Sequence, residues 1–397
     1  MIYFDNSATS PVSDEVLEAM IPYLKEEFGN PSSKYYCKAV NASNAVEDAR
    51  EQVADLLNVT PQEVVFTAGA TESTNFIIKG YMDYRRYYGD GRNHIITSAV
   101  EHKATINTCK YLAGEIYSNN DPTVSLFGSS RKVDRGYQAT FVKPTPYGEI
   151  EKSAIENEIK ENTAMVSTIY VNNEVGTVSD VGAIGALCHK YGLAYHVDIT
   201  QAVGKMDISL RNLNIDFASC SAHKIYGPKG VGAAILKSDD YGIEPISALI
   251  HGGEQEYGLR GGTLAVHNIV GFGKAAEITK KHLVHDRAKI EKMDARIVDG
   301  LLSIPDIQLT NPTSSRVPGI ISVIVKKRDF HNERYIKHVK HRLAISTGSA
   351  CSAGEPSHVI SAMGLESEVS KILRISISKN TTDEEVKQLI QILRETI

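Results

Sequence analysis

The segment from Ser221 to Gly232, SAHKIYGPKGVG, places a lysine among residues that could hold a phosphorylated aldehyde. A lysine that forms a Schiff base must spend time as the neutral amine, and nearby cations or a desolvated pocket favour that form by lowering the lysine pKa. His223 and Lys229 flank Lys224, and the surrounding glycines let the backbone approach a bulky ligand. Ser221 could donate its hydroxyl to a phosphate. The segment predicts a covalent aldehyde site, although an exposed lysine in a glycine turn explains it equally well in isolation.

The elements that must position Lys224 follow a rhythm of short apolar runs and helical patterns. The apolar runs are EVVFT (63–67), HIITS (94–98), AMVSTIYV (164–171), AYHVDI (194–199), FASCSA (217–222) and VGAAIL (231–236). Such alternation predicts an α/β fold with a mostly parallel sheet covered on both faces. Ligands of open α/β sheets bind at the carboxyl ends of the strands, so the residues after each run are the candidates for chemistry.

The alternation of short apolar runs and helical patterns ends after about Gly262. A long helical stretch reaches Leu302 and is followed by strand patterns at 319–325 and 372–378 and a final helix from Asp383. This predicts a large α/β domain over residues 13–262 and a smaller α+β domain formed by residues 1–12 and 263–397.

Asp198 and Gln201 follow the run AYHVDI. A carboxylate at Asp198 could hold the protonated ring nitrogen of a pyridine cofactor, the interaction that lets such a ring accept electrons. Gln201 could reach a phenolic oxygen of the same ring. The alternative for Asp198 is the capping of a helix that follows the strand.

Two other turns carry candidates for binding a cofactor. Gly69, Ala70 and Thr71 occupy a strand-to-helix turn, where free N–H groups and the helix dipole attract phosphate. An ordinary helix cap at Thr71 is the alternative. His102 follows another strand and could stack on a ring or move protons, although a lone histidine is more often structural.

Asn173 and Arg374 are candidates for binding the substrate. Asn173 lies in a turn after AMVSTIYV, where asparagine is also common for local reasons. In the strand pattern ILRISIS, Arg374 shares a face with Ser376 and Ser378, which suits bidentate capture of a carboxylate. The alternative is an arginine on a solvated strand face.

Cys351 lies in GSACSAGEPSH, a run of small residues that predicts an accessible loop and a reactive thiol. A tolerated surface cysteine is the alternative. The five cysteines are odd in number, scattered and never in a CxxC pair, which favours a reducing compartment over disulfides or a metal site.

Charge and hydropathy argue against a nucleic-acid-binding protein and against a membrane protein. The 397 residues carry a net charge of −5, which argues against a chain that binds nucleic acid directly. The first residues lack a signal-peptide pattern and no stretch is long enough to span a bilayer, so we expect a cytoplasmic protein without a membrane partner. The basic stretch RYIKHVKHR (334–342) could dock an acidic partner, lie near nucleic acid or form a solvated helix face.

Nine motifs together resemble the cysteine desulfurases of the NifS and IscS type. The motifs are DNSAT (5–9), GNPSS (29–33), FTAGATES (66–73), EHKA (101–104), VNNEVGT (171–177), HVDITQAVGK (196–205), SAHKIYGPKGVG (221–232), LRGGT (259–263) and GSACSAGEPSHV (348–359). They cover nearly the whole chain in the family's order. The resemblance implies the aspartate-aminotransferase fold of the class V aminotransferase group and pyridoxal 5'-phosphate as the cofactor.

The resemblance also implies roles for individual residues. Lys224 would be the Schiff-base lysine, Asp198 the pyridinium partner, Gln201 the ligand of the ring oxygen and His102 the stacking residue. The phosphate would be held by Ala70, Thr71, Ser221 and His223, with Thr263 supplied by the neighbouring subunit of a homodimer. Asn173 and Arg374 would bind the substrate carboxylate, and Asn6 and Asn30 lie in motifs that line the same pocket. Cys351 would be the sulfur acceptor.

The activity implied is removal of sulfur from L-cysteine, giving L-alanine and a persulfide on Cys351. The sulfur would pass to an acceptor protein, which could be an iron–sulfur scaffold or an enzyme of DNA phosphorothioation or tRNA thiolation. A related lyase such as a selenocysteine lyase, and a sulfur-transfer scaffold without catalysis, are the alternatives.

Overall fold

A computed structural model describes residues 1–116, 131–239, 242–312, 315–348 and 356–397. The helices are α1 (Asp14–Lys25), α2 (Cys37–Leu57), α3 (Ala70–Tyr87), α4 (Lys103–Leu112), α5 (Lys152–Glu156), α6 (Val181–Lys190), α7 (Val266–Leu302), α8 (Asn332–Val339), α9 (His358–Ala362) and α10 (Asp383–Thr396). Cys351 lies outside the described residues.

The strands of the described residues fall into one large sheet and several small ones. They are β1 (Ile2–Tyr3), β2 (Val64–Thr67), β3 (His94–Ser98), β4 (Glu115–Ile116), β5 (Arg131–Lys132), β6 (Gln138–Val142), β7 (Thr163–Ile169), β8 (Ala194–Asp198), β9 (Phe217–Ser221), β10 (Gly232–Leu236), β11 (Ser238–Asp239), β12 (Gly242–Ile243), β13 (Ile307–Leu309), β14 (Ile320–Val325), β15 (Leu343–Ala344) and β16 (Ile372–Ser376).

The large sheet has the strand order β2-β10-β9-β8-β7-β3-β6. Its neighbours pair in parallel from β9 to β6, which confirms the predicted α/β fold with a mostly parallel sheet. Strand β10 runs antiparallel to both β9 and β2. The short link between β9 and β10 explains the first of these pairings, because a parallel neighbour would need a crossover of a dozen or more residues.

Helix α7 joins two hydrophobic cores. Residues near its start, such as Phe272, pack in the core around the large sheet, and residues near its end, such as Ile297, pack in a second core with the antiparallel sheet β13-β14-β16. Phe4 from the N-terminal segment lies in that second core. The domain boundary after residue 262 stays a prediction, since α7 contributes to both cores.

The N-terminal segment lies between the two sheets. Strand β1 pairs in parallel with β15, and Asp5 bridges to Ser376 at the end of β16. The segment is thereby carried to the carboxyl edge of the large sheet, where the Ser10 backbone N–H donates to the carbonyl of His223 at 3.1 Å.

In the part of the chain that the structure describes, no helix combines the length and apolar character needed to cross a membrane.

Candidate active site

A cavity of about 710 Å³ opens at the carboxyl edge of the large sheet. Its lining includes ten of the predicted site residues: Ala70, Thr71, His102, Asn173, Asp198, Gln201, Ser221, His223, Lys224 and Arg374. These residues come from strand ends and turns that are far apart in sequence, and the sheet brings them together as the parallel topology requires.

Lys224 ends a short 3₁₀ turn, Ala222–Lys224, that directly follows β9. Its Nζ donates to the backbone carbonyl oxygens of Ser7 at 2.5 Å and Ala8 at 2.8 Å. The amine therefore lies at the junction of the large sheet and the N-terminal segment.

His223 does not supply the positive charge that we expected beside Lys224. Burial lowers the pKa of the His223 imidazole to about 4, and the charges of Lys224 and Lys229 act in the same direction. Its Nδ1 lies 3.1 Å from the hydroxyl of Thr9. The ring is neutral near pH 7, so His223 adds no charge beside Lys224.

Lys205 is a second cation near Lys224, and the sequence did not single it out. Its Nζ donates to Oε1 of Gln201 at 3.1 Å, and Gln201 Nε2 donates to the Ser7 carbonyl at 2.9 Å. Burial, with the charge of Lys224, lowers the pKa of Lys205 to about 7. The only sequence signal was its place four residues after Gln201 in HVDITQAVGK.

Asp198 is the last residue of β8 and is buried. Its Oδ1 accepts a hydrogen bond from the Thr200 backbone N–H at 2.9 Å, which is the local turn contact that formed the alternative interpretation. Among the described residues Oδ2 has no hydrogen-bond donor, so one carboxylate oxygen remains for a ligand.

His102 caps the N-terminus of α4, where its Nδ1 accepts a hydrogen bond from the Ala104 backbone N–H at 3.1 Å. Burial lowers the pKa of the His102 imidazole. A neutral ring whose Nδ1 is an acceptor carries its proton on Nε2. His102 can therefore donate a proton at Nε2 but cannot accept one there.

The start of α3 forms one end of the cavity. Gly69 has φ +148°, a conformation that side chains oppose, and a Cβ added to Gly232 would lie 2.7 Å from the Gly69 Cα. Both glycines are thus required for the close approach of β10 to this turn. Thr71 and Ser221 line the cavity beside the free N–H groups of an 18-residue helix, a donor set suited to phosphate.

Arg374 on β16 belongs to a second end of the cavity, beside Asn173, and is only 1% exposed, so it does not lie on a solvated strand face. Its Nη2 pairs with Asp5 at 2.7 Å and its Nη1 donates to the Asn173 carbonyl at 2.8 Å. Arg374 Nε and Asn173 Oδ1 are buried without a hydrogen-bond partner among the described residues. This end offers unpaired polar atoms to a ligand.

Glu174 contacts both flanks of the segment that contains Cys351. Its Oε2 accepts a hydrogen bond from Ser357 Oγ at 2.6 Å, and a Cβ added to Gly348 would lie 2.6 Å from the same oxygen. Sequence analysis missed Glu174 and Asp5, although VNNEVGT and DNSAT contain them, because neither partner is near in sequence.

Three predicted residues do not line this cavity. Asn6 donates from Nδ2 to the Ser376 carbonyl at 3.0 Å and lines a smaller cavity of about 30 Å³ that Lys205 and Lys224 share. Asn30 is exposed, and its Oδ1 accepts a hydrogen bond from the Ser32 N–H at 3.0 Å. Thr263 is also exposed.

Comparison with known proteins places the chain in a family. The profile of the family described as aminotransferase class-V matches residues 2–118 and 127–389. The cysteine desulfurase IscS of Serratia proteamaculans is 39% identical over 404 residues, which cover 100% of this chain and 92% of that protein. The chain belongs to the cysteine desulfurases of aminotransferase class V.

Two solved structures agree with this assignment. A NifS-like protein superposes with a TM-score of 0.87 at 33% identity, covering 99% of this chain and 98% of that one. The structure described as SspA in complex with cysteine has a TM-score of 0.79 at 34% identity, covering 96% of this chain and 100% of that one. This desulfurase, like its family, depends on pyridoxal phosphate.

Proposed function

We propose that this desulfurase takes sulfur from L-cysteine, releases L-alanine and carries the sulfur as a persulfide on Cys351 to an acceptor protein. The observation that carries the proposal is that three groups line one cavity: the amine of Lys224, the carboxylate of Asp198 and the guanidinium of Arg374. They supply an amine for the cofactor and substrate, a partner for a ring nitrogen and a receptor for a carboxylate.

The residues present fit pyridoxal phosphate. Asp198 has a free carboxylate oxygen for a ring N–H, and Gln201 lies beside it with its amide oriented by Lys205. The N–H groups at the start of α3, with Thr71 and Ser221, would hold the phosphate. Neutral His223 would add a further hydrogen bond there. When bound, the cofactor supplies an electron sink for the electron pair left at the substrate Cα.

Lys224 is the base that removes the Cα proton. Its Nζ lies at the junction of the cavity with the N-terminal segment, and a neutral amine there can accept a proton. His102 would stack on the cofactor ring and donate from Nε2, because its Nδ1 is already an acceptor for Ala104. Lys224 therefore accepts the Cα proton, and His102 donates a proton.

Arg374 and Asn173 orient the substrate. Arg374 Nε is buried and unpaired in the described structure, so a shift of the guanidinium that brings Nε to a substrate carboxylate would satisfy it. Asp5 holds the other side of the guanidinium, which sets the direction in which Nε points.

The sulfur-transfer step needs no external oxidant. The Cys351 thiolate attacks the substrate sulfur, forming an S–S bond as the Cβ–S bond breaks. The electron pair of the broken bond stays on the substrate carbon, which takes up a proton and leaves as part of alanine. The persulfide sulfur then passes to the acceptor, for which an iron–sulfur scaffold and a nucleic-acid modification enzyme are both candidates.

A homodimer would complete the site. Thr263 is exposed in its own subunit, which suits a residue supplied to the phosphate of a neighbouring one. Large apolar side chains are also exposed near the N-terminus, at Leu17, Leu24, Phe28 and Tyr35. A second subunit packed against these side chains would remove their apolar surface from water. We also propose that the protein is cytoplasmic.

The test compares two cysteine variants of the holoenzyme. Cys351→Ala should lower sulfide release from cysteine by about a hundredfold or more, because the nucleophile is gone. Cys37→Ser is the matched control, since Cys37 is exposed but distant in sequence from the cavity residues. Undiminished sulfide and alanine release by Cys351→Ala would contradict the persulfide route and favour a lyase without one.

A further inference from the structure

The small domain carries a concentration of positive charge that the reaction does not use. Residues 326–342 contain seven lysines and arginines against two acids, in a chain whose net charge is −5. Five of these side chains are exposed and make no ion pair with described residues: Lys327, Arg328, Arg334, Lys337 and Lys340. We refer to these five residues as the basic surface.

Helix α8 holds the central part of the basic surface in place. Tyr335 and Val339 bury its inner face, and the Tyr335 hydroxyl lies 2.8 Å from the hydroxyl of Thr396. Asn332 Nδ2 donates to the carbonyl of Ile372, the first residue of β16, at 3.0 Å. Arg334 and Lys337 therefore lie on a helix that is hydrogen-bonded to the strand carrying Arg374.

Pairing along the helix accounts for only part of the pattern. Lys337 lies in the last turn of α8 and four residues after Glu333, and both positions favour a positive charge. Arg334 is three residues before Lys337 on the same face, where like charges repel by a few tenths of a kcal/mol. By contrast Lys326 and Arg342, at the margins of the stretch, are paired with Glu368 and Glu395. Unpaired like charges at the centre and paired charges at the margin are typical of a surface that attracts an anionic partner.

The basic surface lies close to the active site along the chain. Lys340, the last residue of the basic surface, precedes Ser346 by six positions, which span at most about 21 Å when extended. Ser346 exchanges backbone hydrogen bonds with Arg374, at 3.1 Å and 2.7 Å. Cys351 follows Ser346 by five positions in the sequence. A partner on the basic surface would thus be held beside the segment that carries the persulfide.

We propose that the basic surface docks an acidic protein, and that this protein accepts the sulfur; the inference rests on the proposed sulfur-transfer function. An acidic polypeptide can match five local charges, whereas an extended nucleic acid would also meet the remainder of a chain whose overall charge is negative. Electrostatic docking of this kind raises the association rate and weakens as salt increases.

The test measures binding of a fluorescein-labelled oligoglutamate peptide to the purified holoenzyme. Fluorescence anisotropy follows the binding at low and at high salt. The double variant Arg334→Glu/Lys337→Glu should bind the peptide at least about tenfold more weakly at low salt. Lys281→Glu/Lys292→Glu on α7 is the matched control, because both lysines are exposed and the change in net charge is identical. The control should retain most of the affinity, and cross-linked peptide should map to α8.

Three outcomes would overturn the proposal. Equal loss of binding in the control variant would show an effect of net charge. Tighter binding of a single-stranded oligonucleotide than of the peptide would indicate a nucleic-acid surface. No binding of either probe would show that the basic surface is a solvated face. Thermal unfolding of both variants verifies that they fold. Sulfide release by the wild type tests the proposed function separately, so a desulfurase that ignores the peptide would refute only the docking.

Discussion

The two ends of the catalytic cavity differ in which polar groups they leave unpaired. At the end predicted to hold the cofactor, Gln201 is hydrogen-bonded through both amide atoms and His223 contacts Thr9, while Asp198 Oδ2 and the first N–H groups of α3 are left for the cofactor. At the end predicted to hold the substrate, Arg374 Nε and Asn173 Oδ1 are buried without partners among the described residues. An unpaired buried polar atom costs about 1–3 kcal/mol.

This difference indicates how the site divides its work. The cofactor end is organised by the protein's own hydrogen bonds, so its geometry does not depend on the substrate. The substrate end carries unpaired polar atoms that a bound carboxylate would satisfy, so part of the binding free energy of L-cysteine arises there. Lys224 lines the same cavity.

Loss of Lys224 should have the largest effect. Lys224→Ala removes the proposed base, so alanine formation from cysteine should fall by about a thousandfold or more. The measurement is single-turnover alanine release, with and without added ethylamine. Partial rescue by the amine would support a base at this position, and near wild-type turnover without it would refute the role.

Arg374→Gln should weaken substrate binding and leave cofactor binding unchanged. Loss of a charge-assisted contact to the carboxylate should raise KM for cysteine roughly tenfold to a hundredfold, while the cofactor absorbance stays as in the wild type. Asp5→Asn keeps the guanidinium but removes its partner, so a smaller rise in KM is expected. If both variants instead lost the cofactor with KM unchanged, the assignment of the two ends would be reversed.

Lys205→Met should alter the pH dependence of stability. The pKa of Lys205 lies at about 7 in the folded chain and at 10.5 as the ordinary value, so the unfolded chain binds more protons between these limits. Its contribution to the free energy of unfolding therefore rises with pH from about 7 to about 10.5. The variant should lack that rise in urea unfolding at pH 7 and pH 9.

Lys379→Met is the matched control for Lys205, because Lys379 lines the same small cavity but lies 3.8 Å from Asp286. Identical slopes for the wild type and Lys205→Met would show that Lys205 is not buried as a cation near Lys224.

His102→Phe should have the smallest effect. The substitution keeps a ring for stacking but removes the Nε2 proton, so kcat should fall by about tenfold with cofactor affinity retained. Burial lowers the pKa of His102, so the variant should not change the pH profile of kcat between pH 7 and pH 8. If the wild type showed a pH dependence in that interval and the variant lost it, His102 would be shown to titrate during turnover.

The sequence predicted best the residues that follow strands. Asp198 and His102 were identifiable because parallel strands deliver their carboxyl ends to one edge of the sheet. Asp5 was not, since its contact with Arg374 spans 369 positions and no local pattern encodes it. The charge of His223 was also beyond the sequence, because burial, which only the fold defines, makes the ring neutral.

The central claim is that Cys351 receives the sulfur that this cavity releases from cysteine. The most direct measurement is mass spectrometry of the holoenzyme after a single turnover with sulfur-labelled L-cysteine and alkylation of the products. We predict labelled persulfide on the peptide that contains Cys351, its absence from Cys37, and its loss in Lys224→Ala. Release of labelled sulfide with no label on Cys351 at any time point would contradict the account.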